Sequence, residues 1–182
     1  MNDALEQIIL VDAEDREVGL ADKLEAHRRG DRHRAISVCV TDDEGRMLLQ
    51  RRALAKYHSG GLWTNACCTH PRPGETAAEA ASRRLEEELG VVCPLHFLFV
   101  THYRANVGKG LVEDEVVHVF NGHYSGTVRP DSSEVQDYGW FAPEFLVADI
   151  SERPEKYTYW FRHYVSRHAD AIFDRGALVS KP

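Results

Sequence analysis

Hydrophobic and polar residues alternate along much of the chain in short runs that are typical of β-strands. Such runs are predicted at 5–12, 34–42, 46–52, 60–68, 95–105, 114–124 and 138–142. The segment 13–19 reads as a turn, and the run at 60–68 begins as a loop. Asp-Glu-Gly at 43–45 lies between two of the runs, which predicts a β-hairpin.

Three segments have the spacing of helices. The first, 22–30, ends at a glycine, and the clearest one, 74–90, is rich in alanine and also ends at a glycine. The third, 154–173, places five side chains on one side, namely Phe161, Tyr164, Val165, His168 and Ile172. Because helices and hairpin signals are interleaved, we predict an α+β (mixed α/β) fold with a mixed sheet, in a single domain over 1–182.

Composition narrows the classes of function. The chain has 182 residues, of which 43% are hydrophobic, and this fits one domain with a sizeable core. A net charge of −7 argues against a nucleic-acid or membrane-surface binder, so cations for an anionic ligand must be gathered locally. We expect no signal peptide and no transmembrane helix. Four cysteines are too few for a disulfide scaffold, which favours free thiols in the cytoplasm.

The helix predicted over 74–90 carries an unusual acidic cluster, Glu86 to Glu88, near its C-terminus, where the helix dipole disfavours acids. Arg84 and Glu88 are four residues apart and share a face with Leu85. An acid on the apolar side of a helix needs a partner, and a divalent cation is a good one. The alternative is a solvated acidic face with ordinary ion pairs.

The stretch TNACCTHP, 64–71, contains two adjacent cysteines and a histidine. In an extended chain, Cys68 and His70 face one way and Cys67 the other. Cys67 is then a small core residue, and Cys68 is the candidate for chemistry. A thiolate–zinc site would need further cysteines at ligand spacing, and the sequence has none.

His70 needs other ligands to bind a metal. Candidates are His27, His33, Glu113 and Glu115, and such a mixed nitrogen and oxygen set suits a divalent ion. The chain has ten histidines, so the grouping could be incidental. His102, His118 and His123 are expected at surface or strand positions.

The segment 69–91 resembles the Nudix signature, G-x5-E-x7-R-E-U-x-E-E-x-G-U, where U is a bulky aliphatic residue. The matching positions are Glu75, Arg83, Leu85, Glu87, Glu88, Gly90 and Val91. Thr69 stands in place of the first glycine, and Arg84 in place of the first helical glutamate. In Nudix hydrolases that glutamate helps to bind the metals that activate water. The resemblance therefore implies binding of a diphosphate without its hydrolysis.

The motifs WTNACCTHP, VEDE and KLEAH…RH, together with the altered helix, resemble the type 1 isopentenyl-diphosphate isomerases, from about residue 5 to residue 160. The resemblance implies a Nudix-like fold, with a central mixed sheet flanked by helices. It also implies interconversion of isopentenyl and dimethylallyl diphosphate, in isoprenoid biosynthesis. The catalytic groups carry over to Cys68 and Glu115, with Tyr103 polarising Glu115 and Trp160 facing the carbocation.

The same resemblance assigns the ligands. A divalent ion (Mn²⁺, Zn²⁺ or Mg²⁺) is expected at His27, His33, His70, Glu113 and Glu115. A second ion, Mg²⁺ arriving with the diphosphate, is expected near Glu88, and no flavin is expected. The diphosphate is assigned to Lys23, Arg52, Lys56 and Arg84. Arg51 is less suitable than Arg52, because neighbouring residues on a strand point in opposite directions.

The chemistry explains why these residue types occur together. Protonating an alkene requires an acid and a base on either side of it, an aromatic face for the cation, and exclusion of water. Whether Cys68 or Glu115 gives the first proton stays open, and the segment containing His27 is expected to close over the site. The alternatives are a Nudix diphosphohydrolase and a non-catalytic metal-binding domain. We expect a small-molecule substrate, no nucleic-acid or membrane partner, and a monomer or weak homodimer.

Overall fold

The computed structural model describes residues 6–173, and these form a mixed β-sheet covered by helices. The described strands are β1 (Gln7–Val11), β2 (Glu17–Asp22), β3 (His33–Thr41), β4 (Met47–Arg52), β5 (Trp63–Asn65), β6 (Cys67–Thr69), β7 (Leu95–Gly108), β8 (Leu111–His123) and β9 (Val135–Phe141). The described helices are α1 (Lys23–Arg29), α2 (Ala77–Leu89), α3 (Pro143–Glu152) and α4 (Tyr159–Phe173). The architecture confirms the predicted α+β class.

Residue 5, where the first strand was predicted to begin, lies outside the described residues, as do both ends of the predicted domain 1–182. The extent of a single domain therefore stays a prediction. Among the helices described between residues 6 and 173, none combines the length and the apolar character needed to cross a bilayer.

Local sequence signals place the ends of the first two helices. Asp22 caps the N-terminus of α1, and Gly30 ends that helix with a φ of 67°. Thr76 and Glu79 form a capping box at the start of α2. Gly90, with a φ of 62°, ends α2 in the left-handed conformation that glycine adopts most easily.

The strands β3 and β8 lie at the centre of the sheet. They pair in parallel over nine positions, and this register sets His33 opposite Glu115. β6 runs antiparallel to β3 on its other side, and β7 runs antiparallel to β8. Strand β4 pairs with β5 and β9, and β1 pairs with β2. These pairings bring segments that are distant in sequence to one region of the sheet.

The core lies on both faces of this sheet. One hydrophobic cluster packs α4 against the sheet through Trp160 and Tyr164, and the other packs α2 through Leu85. Val38 and Cys39, adjacent on β3, belong to different clusters because side chains alternate along a strand. Burial on both faces explains why the sequence of β3 is a nearly continuous hydrophobic run.

Four elements differ from the sequence predictions. The predicted turn at 13–19 ends early, because Glu17–Asp22 forms β2 against β1. The predicted hairpin holds only at its turn, because β3 and β4 share a single pair, Thr41–Met47, and then separate toward other partners. Helix α3 was not predicted. In the tail, Pro154–Lys156 is a separate 3-10 turn, so the helix begins at Tyr159.

The predicted face of the tail helix is correct in four of its five residues. Phe161, Tyr164, Val165 and Ile172 are buried. His168 is only half-buried, its φ of −135° interrupts the helix, and its ring stacks on Phe99 at 4.1 Å between centroids.

Candidate active site

Strand β8 presents two carboxylates on one face. Because side chains alternate along a strand, Glu113 and Glu115 contact the histidines, whereas Asp114 contacts arginines on the opposite face. The parallel partner β3 brings His33 beside Glu115. Helix α1 brings His27 to the same place, fully buried.

These residues form a group that could hold a metal ion. The candidate ligand atoms lie within 4.8 Å of one another in His27, His33, His70 and Glu113. His27 Nε2 and His33 Nε2 lie 3.0 and 3.5 Å from Glu113 Oε2. Within the described residues, none of these three buried atoms makes a hydrogen bond. Buried polar atoms that converge without hydrogen bonds fit a divalent cation, and the donor set is one that such ions accept.

The opposite ring nitrogens of two histidines are held by main-chain carbonyls. His27 Nδ1 lies 2.6 Å from Lys23 O, and His33 Nδ1 lies 2.8 Å from Asp31 O. A carbonyl oxygen can only accept a hydrogen bond, so Nδ1–H donates in each case and Nε2 is left facing Glu113. Such contacts orient metal-binding imidazoles in proteins, and the fit to an ion is therefore good.

Glu115 lies at the edge of this group. The Tyr103 hydroxyl donates to its Oε2, and His70 Nε2 lies 3.1 Å from its Oε1. Burial and the charge of Glu113 oppose ionisation of Glu115, but His33 and His70 outweigh them and lower its pKa. Burial lowers the pKa of His70 to about 4. Burial raises the pKa of Tyr103 well above its usual value, so its hydroxyl remains a donor.

His33 is more basic than an ordinary histidine. Burial opposes its charge, but its contacts with Glu113 and Glu115 prevail and raise its pKa to about 10. A metal ligand must be an unprotonated imidazole, so an ion and a proton compete for this ring.

The two adjacent cysteines face opposite sides of β6, as predicted. Cys68 Sγ lies 3.1 Å from Ser37 Oγ and donates to Asn65 Oδ1 at 3.2 Å. Burial raises its pKa to about 12, so the thiol stays protonated at neutral pH. Cys67 is fully buried in the cluster under α2, and its thiol points to Glu88 Oε1 at 3.7 Å.

The sequence of α2 allowed either a partnered acid on the apolar side or a solvated acidic face, and the structure contains both. Glu86 and Glu87 are exposed, whereas Glu88 is buried. Arg84 Nη2 donates to Glu88 Oε1 at 2.6 Å, and Gln50 Nε2 donates to Glu88 Oε2 at 2.7 Å. Unlike Glu113, Glu88 therefore has a hydrogen-bond donor at each of its oxygens.

Three of the four predicted diphosphate-binding cations, Lys23, Lys56 and Arg84, are held by carboxylates. Lys23 Nζ lies 2.9 Å from Glu6, and Lys56 forms an ion pair with Glu134. Arg84 Nη2 lies 3.3 Å from the same Glu134 oxygen. The acidic partners explain how these buried or half-buried cations are tolerated in an acidic protein.

Arg52 and Arg51 contact different groups, at a register irregularity between β4 and β9. The Arg52 guanidinium lies 5.3 Å from the centre of the Trp160 ring. Arg51 instead donates from Nε to Gly61 O at 2.9 Å. Trp160 is held by its own hydrogen bond, from Nε1 to Thr64 Oγ1 at 2.8 Å.

One cavity brings most of the predicted residues together. Of the thirteen predicted site residues, all but His27 and His33 line it, and those two reach it through Glu113. The cavity volume is about 40 Å³, which suits a few water molecules and is less than a five-carbon diphosphate requires. Binding of such a substrate therefore requires movement of the surrounding chain.

Sequence reasoning missed three residues of the cavity, Tyr57, His58 and Thr69, the last of which was noted only as a departure from the Nudix signature. His58 is buried, and its Nε2 lies 2.8 Å from Glu113 Oε1. Burial lowers its pKa, so the ring is neutral at neutral pH. The available signal was the Ser-Gly-Gly turn that follows it, which turns the chain sharply at the end of β4.

Sequence comparisons identify relatives over most of the chain. A NUDIX domain model matches residues 31–161. Isopentenyl-diphosphate Delta-isomerase 2 of Aromatoleum aromaticum is 49% identical over 162 residues, which cover 89% of this chain and 86% of the relative. Isopentenyl-diphosphate Delta-isomerase of Burkholderia multivorans is 44% identical over 172 residues, 94% of this chain and 98% of the relative.

Solved structures share the fold. The crystal structure of DR0079 from Deinococcus radiodurans has a TM-score of 0.74 at 19% identity, covering 89% of this chain and 98% of that one. The MutT protein from Methanosarcina mazei has a TM-score of 0.63 at 19% identity, covering 75% and 91%. At such identities only the fold is comparable. On the domain match and the extent of identity to its relatives, the chain belongs to the NUDIX superfamily and, within it, to the isopentenyl-diphosphate Delta-isomerases.

Proposed function

We propose that the protein interconverts isopentenyl diphosphate and dimethylallyl diphosphate in isoprenoid biosynthesis, with Cys68 and Glu115 as the proton-transferring groups. The observation that carries these roles is the shared cavity: the Cys68 thiol and the Glu115 carboxylate both line it, together with the cationic cluster. Membership of the isomerase family supports the reaction.

The reaction is a 1,3-shift of a proton. One proton is added to the terminal alkene carbon of isopentenyl diphosphate, and another leaves C2, so that the double bond moves by one carbon. Burial raises the pKa of Cys68 to about 12, and His33 and His70 lower the pKa of Glu115, which supports a protonated thiol and an ionised carboxylate at neutral pH. A pair with one proton between its members can donate at one end of the allylic unit and accept at the other. The reverse reaction uses the same pair in the opposite order.

The ion site has a supporting role. His27, His33, His70, Glu113 and Glu115 would hold the divalent ion, and imidazole ligands favour Zn²⁺ or Mn²⁺ over Mg²⁺. Bound there, the ion would supply positive charge that orients Glu115 and tunes its acidity. The hydrogen bond from Tyr103 holds the same carboxylate from its other oxygen. In this proposal the Tyr103 hydroxyl stabilises the Glu115 carboxylate and can pass a proton to or from it.

Trp160 stabilises the developing carbocation. Its ring borders the cavity, and its hydrogen bond to Thr64 fixes the ring plane. An aromatic face stabilises a desolvated cation by about 2 kcal/mol. The same ring also fills part of the core against α4, so packing and catalysis use one side chain.

Lys23, Arg52, Lys56 and Arg84 bind the diphosphate, with Mg²⁺ near Glu88. Carboxylates hold Lys23, Lys56 and Arg84 at the cavity, and binding of the diphosphate exchanges some of those contacts for phosphate oxygens. Arg84 stands at the helical position where the Nudix signature has a glutamate, and it donates to Glu87 and Glu88. A cation at that position supports binding without hydrolysis.

Entry of substrate involves the segment around α1. This helix carries Lys23 and His27, and the cavity beside it is too small for the substrate. We expect residues 22–34 to exchange amide hydrogens more slowly with a substrate analogue and Mg²⁺ than without them. Unchanged protection would contradict closure of this segment. A cytoplasmic location and a monomer or weak homodimer remain part of the proposal.

One assay tests the reaction. The protein is incubated in heavy water with isopentenyl diphosphate, Mg²⁺ and Mn²⁺, and the products are followed by NMR. Deuterated dimethylallyl diphosphate is the expected product. Inorganic phosphate or isopentenyl monophosphate would instead indicate a hydrolase, and an unchanged substrate would indicate a binding domain.

A further inference from the structure

The loop after β4 places a fourth imidazole beside the ion site. His58 is 4% exposed, and its Nε2 lies 2.8 Å from Glu113 Oε1. It stands outside the group of His27, His33, His70 and Glu113, whose candidate ligand atoms converge. Its nitrogen is directed at a carboxylate oxygen instead.

The two oxygens of Glu113 have different surroundings. Oε2 lies 3.0 Å from His27 Nε2 and 3.5 Å from His33 Nε2, without a hydrogen bond to either. Oε1 is the oxygen that His58 contacts. Rotation of the carboxylate would exchange these positions, so a donor fixed at Oε1 keeps Oε2 facing the imidazoles.

The carboxylate of Glu113 determines which nitrogen of His58 donates to it. His58 Nδ1 lies 3.2 Å from Ser59 Oγ, and a hydroxyl can either donate or accept at that nitrogen. Glu113 Oε1, 2.8 Å from Nε2, can only accept. Nε2 therefore carries a hydrogen and donates it to Glu113.

The backbone of the loop is shaped to hold this ring. Ser59 has a φ of 51° and Gly61 a φ of 78°, both in the left-handed region. A Cβ at Gly60 would lie 2.7 Å from the main-chain oxygen of Leu54, so only glycine fits there. The ring itself packs edge-on against Tyr57 and Trp160, at 4.3 and 5.9 Å between centroids. Because Tyr57, Trp160 and Ser59 fix the position of the His58 ring, the ring can in turn fix the carboxylate of Glu113.

We propose that His58 is a positioning residue: it donates to Glu113 Oε1, holds Oε2 toward His27 and His33, and thereby sets the affinity of the ion site. This inference depends on the ion site of the proposed function. His58 does not bind the ion, because its Nε2 proton is used for Glu113.

The test is calorimetric titration of Mn²⁺ into metal-free protein. His58→Leu removes the donor, and its affinity for Mn²⁺ should fall about 10–100-fold, as for other residues that support a metal ligand. His58→Gln keeps an N–H near the position of Nε2 and should recover most of the affinity. His123→Gln is the matched control, because His123 is exposed and pairs with Asp43 on the surface.

A second measurement separates positioning from loss of structure. At saturating Mn²⁺, His58→Leu should recover most of its kcat with an unchanged KM for isopentenyl diphosphate. Equal Mn²⁺ affinity in wild type and His58→Leu would overturn the inference. So would a His58→Gln variant as weak as His58→Leu. A wild-type protein that binds no Mn²⁺ would contradict the ion site itself, and with it the role of His58.

Discussion

The two faces of β8 both carry buried carboxylates, but the carboxylates have different partners on each face. On the outer face Asp114 accepts hydrogen bonds from Arg32 at 3.0 Å and Arg104 at 2.5 Å, and His102 Nε2 lies 2.8 Å away. On the inner face, one residue away on either side, Glu113 and Glu115 lie among imidazoles. Every partner of Asp114 is within reach of solvent, whereas Glu113 is buried with His27 and His33.

The difference lies in the kind of cation that each face offers. Arginine is always charged and donates directly, so the two guanidinium groups meet the needs of Asp114 without an external ion. Imidazoles whose Nδ1–H already donates to a carbonyl direct Nε2 at the carboxylate, as His27 and His33 do at Glu113. Each such Nε2 can hold either a proton or a metal ion, but not both. The outer face thus stabilises the fold, and the inner face is kept ready for chemistry.

The largest expected effect is on β6, where the same alternation separates two thiols. Cys68→Ala should abolish turnover and leave the fold intact, because it removes a proton-transferring group from the cavity wall. Cys67→Ala should keep turnover and lower the free energy of unfolding by about 1–2 kcal/mol, because it removes a core contact. Steady-state kinetics and urea unfolding of both variants measure this. If Cys67→Ala were inactive and Cys68→Ala active, Cys67 and not Cys68 would be the thiol that transfers the proton.

The next test compares neighbours on β8 directly. Glu115→Gln should reduce kcat about 10²–10⁴-fold, because the amide cannot exchange a proton with substrate, and it should also weaken the ion site. Asp114→Asn should leave kcat nearly unchanged. Both substitutions remove one negative charge from the same strand, so each is the control for the other. Full activity of Glu115→Gln would remove Glu115 from the mechanism.

Stabilisation by Mn²⁺ distinguishes the two faces without reference to turnover. At a free Mn²⁺ concentration about 100 times its Kd, the free energy of unfolding should rise by about 2.7 kcal/mol. Glu113→Gln should lose this rise, whereas Asp114→Asn should keep it. Urea unfolding with and without Mn²⁺ gives the values. An undiminished rise in Glu113→Gln would show that the inner face does not hold the ion.

The smallest expected effect concerns the outer face alone. Burial opposes ionisation of Asp114, but His102, Arg32 and Arg104 outweigh it and lower its pKa. A carboxyl with a lowered pKa stabilises the fold above its unfolded pKa, about 3.9 for aspartate, and loses that contribution as the pH falls through the folded pKa.

At neutral pH, Asp114→Asn should therefore cost about 1 kcal/mol, a modest value because the arginines are partly exposed to solvent. The difference from wild type should shrink as the pH is lowered below about 4. Unfolding curves between pH 3 and 7 measure it. A difference that stayed constant across this range would show that the charge of Asp114 does not stabilise the fold.

Several features of the site follow from local sequence. The opposite facing of Cys67 and Cys68 needs only the alternation of an extended chain. The C-terminal end of the helix that carries Arg84 and Glu88 could be predicted because its signal, the terminal Gly90, acts within one turn. Its start, predicted at 74, lies at Ala77, after the cap Thr76. The resemblance to the family then indicated which of these residues would bind the ion and which the diphosphate.

Other features could not be predicted because they depend on pairing between distant segments. The chain alone did not indicate that β3 would leave β4 after one pair and align with β8 for nine. Helix α3 was missed because its exposed Phe145 and Val147 blur the pattern of an amphipathic helix. His58 was missed because a histidine in a turn has no periodicity to mark it as buried.

By itself, then, the sequence determined which residues could take part: their types, their alternating faces and the ends of the helices around them, all properties set within a few residues. Only the tertiary structure decided which of them meet. His33 lies opposite Glu115 through a register between strands about 80 residues apart, and burial of both faces of the sheet, which is a property of the whole core, selects that register.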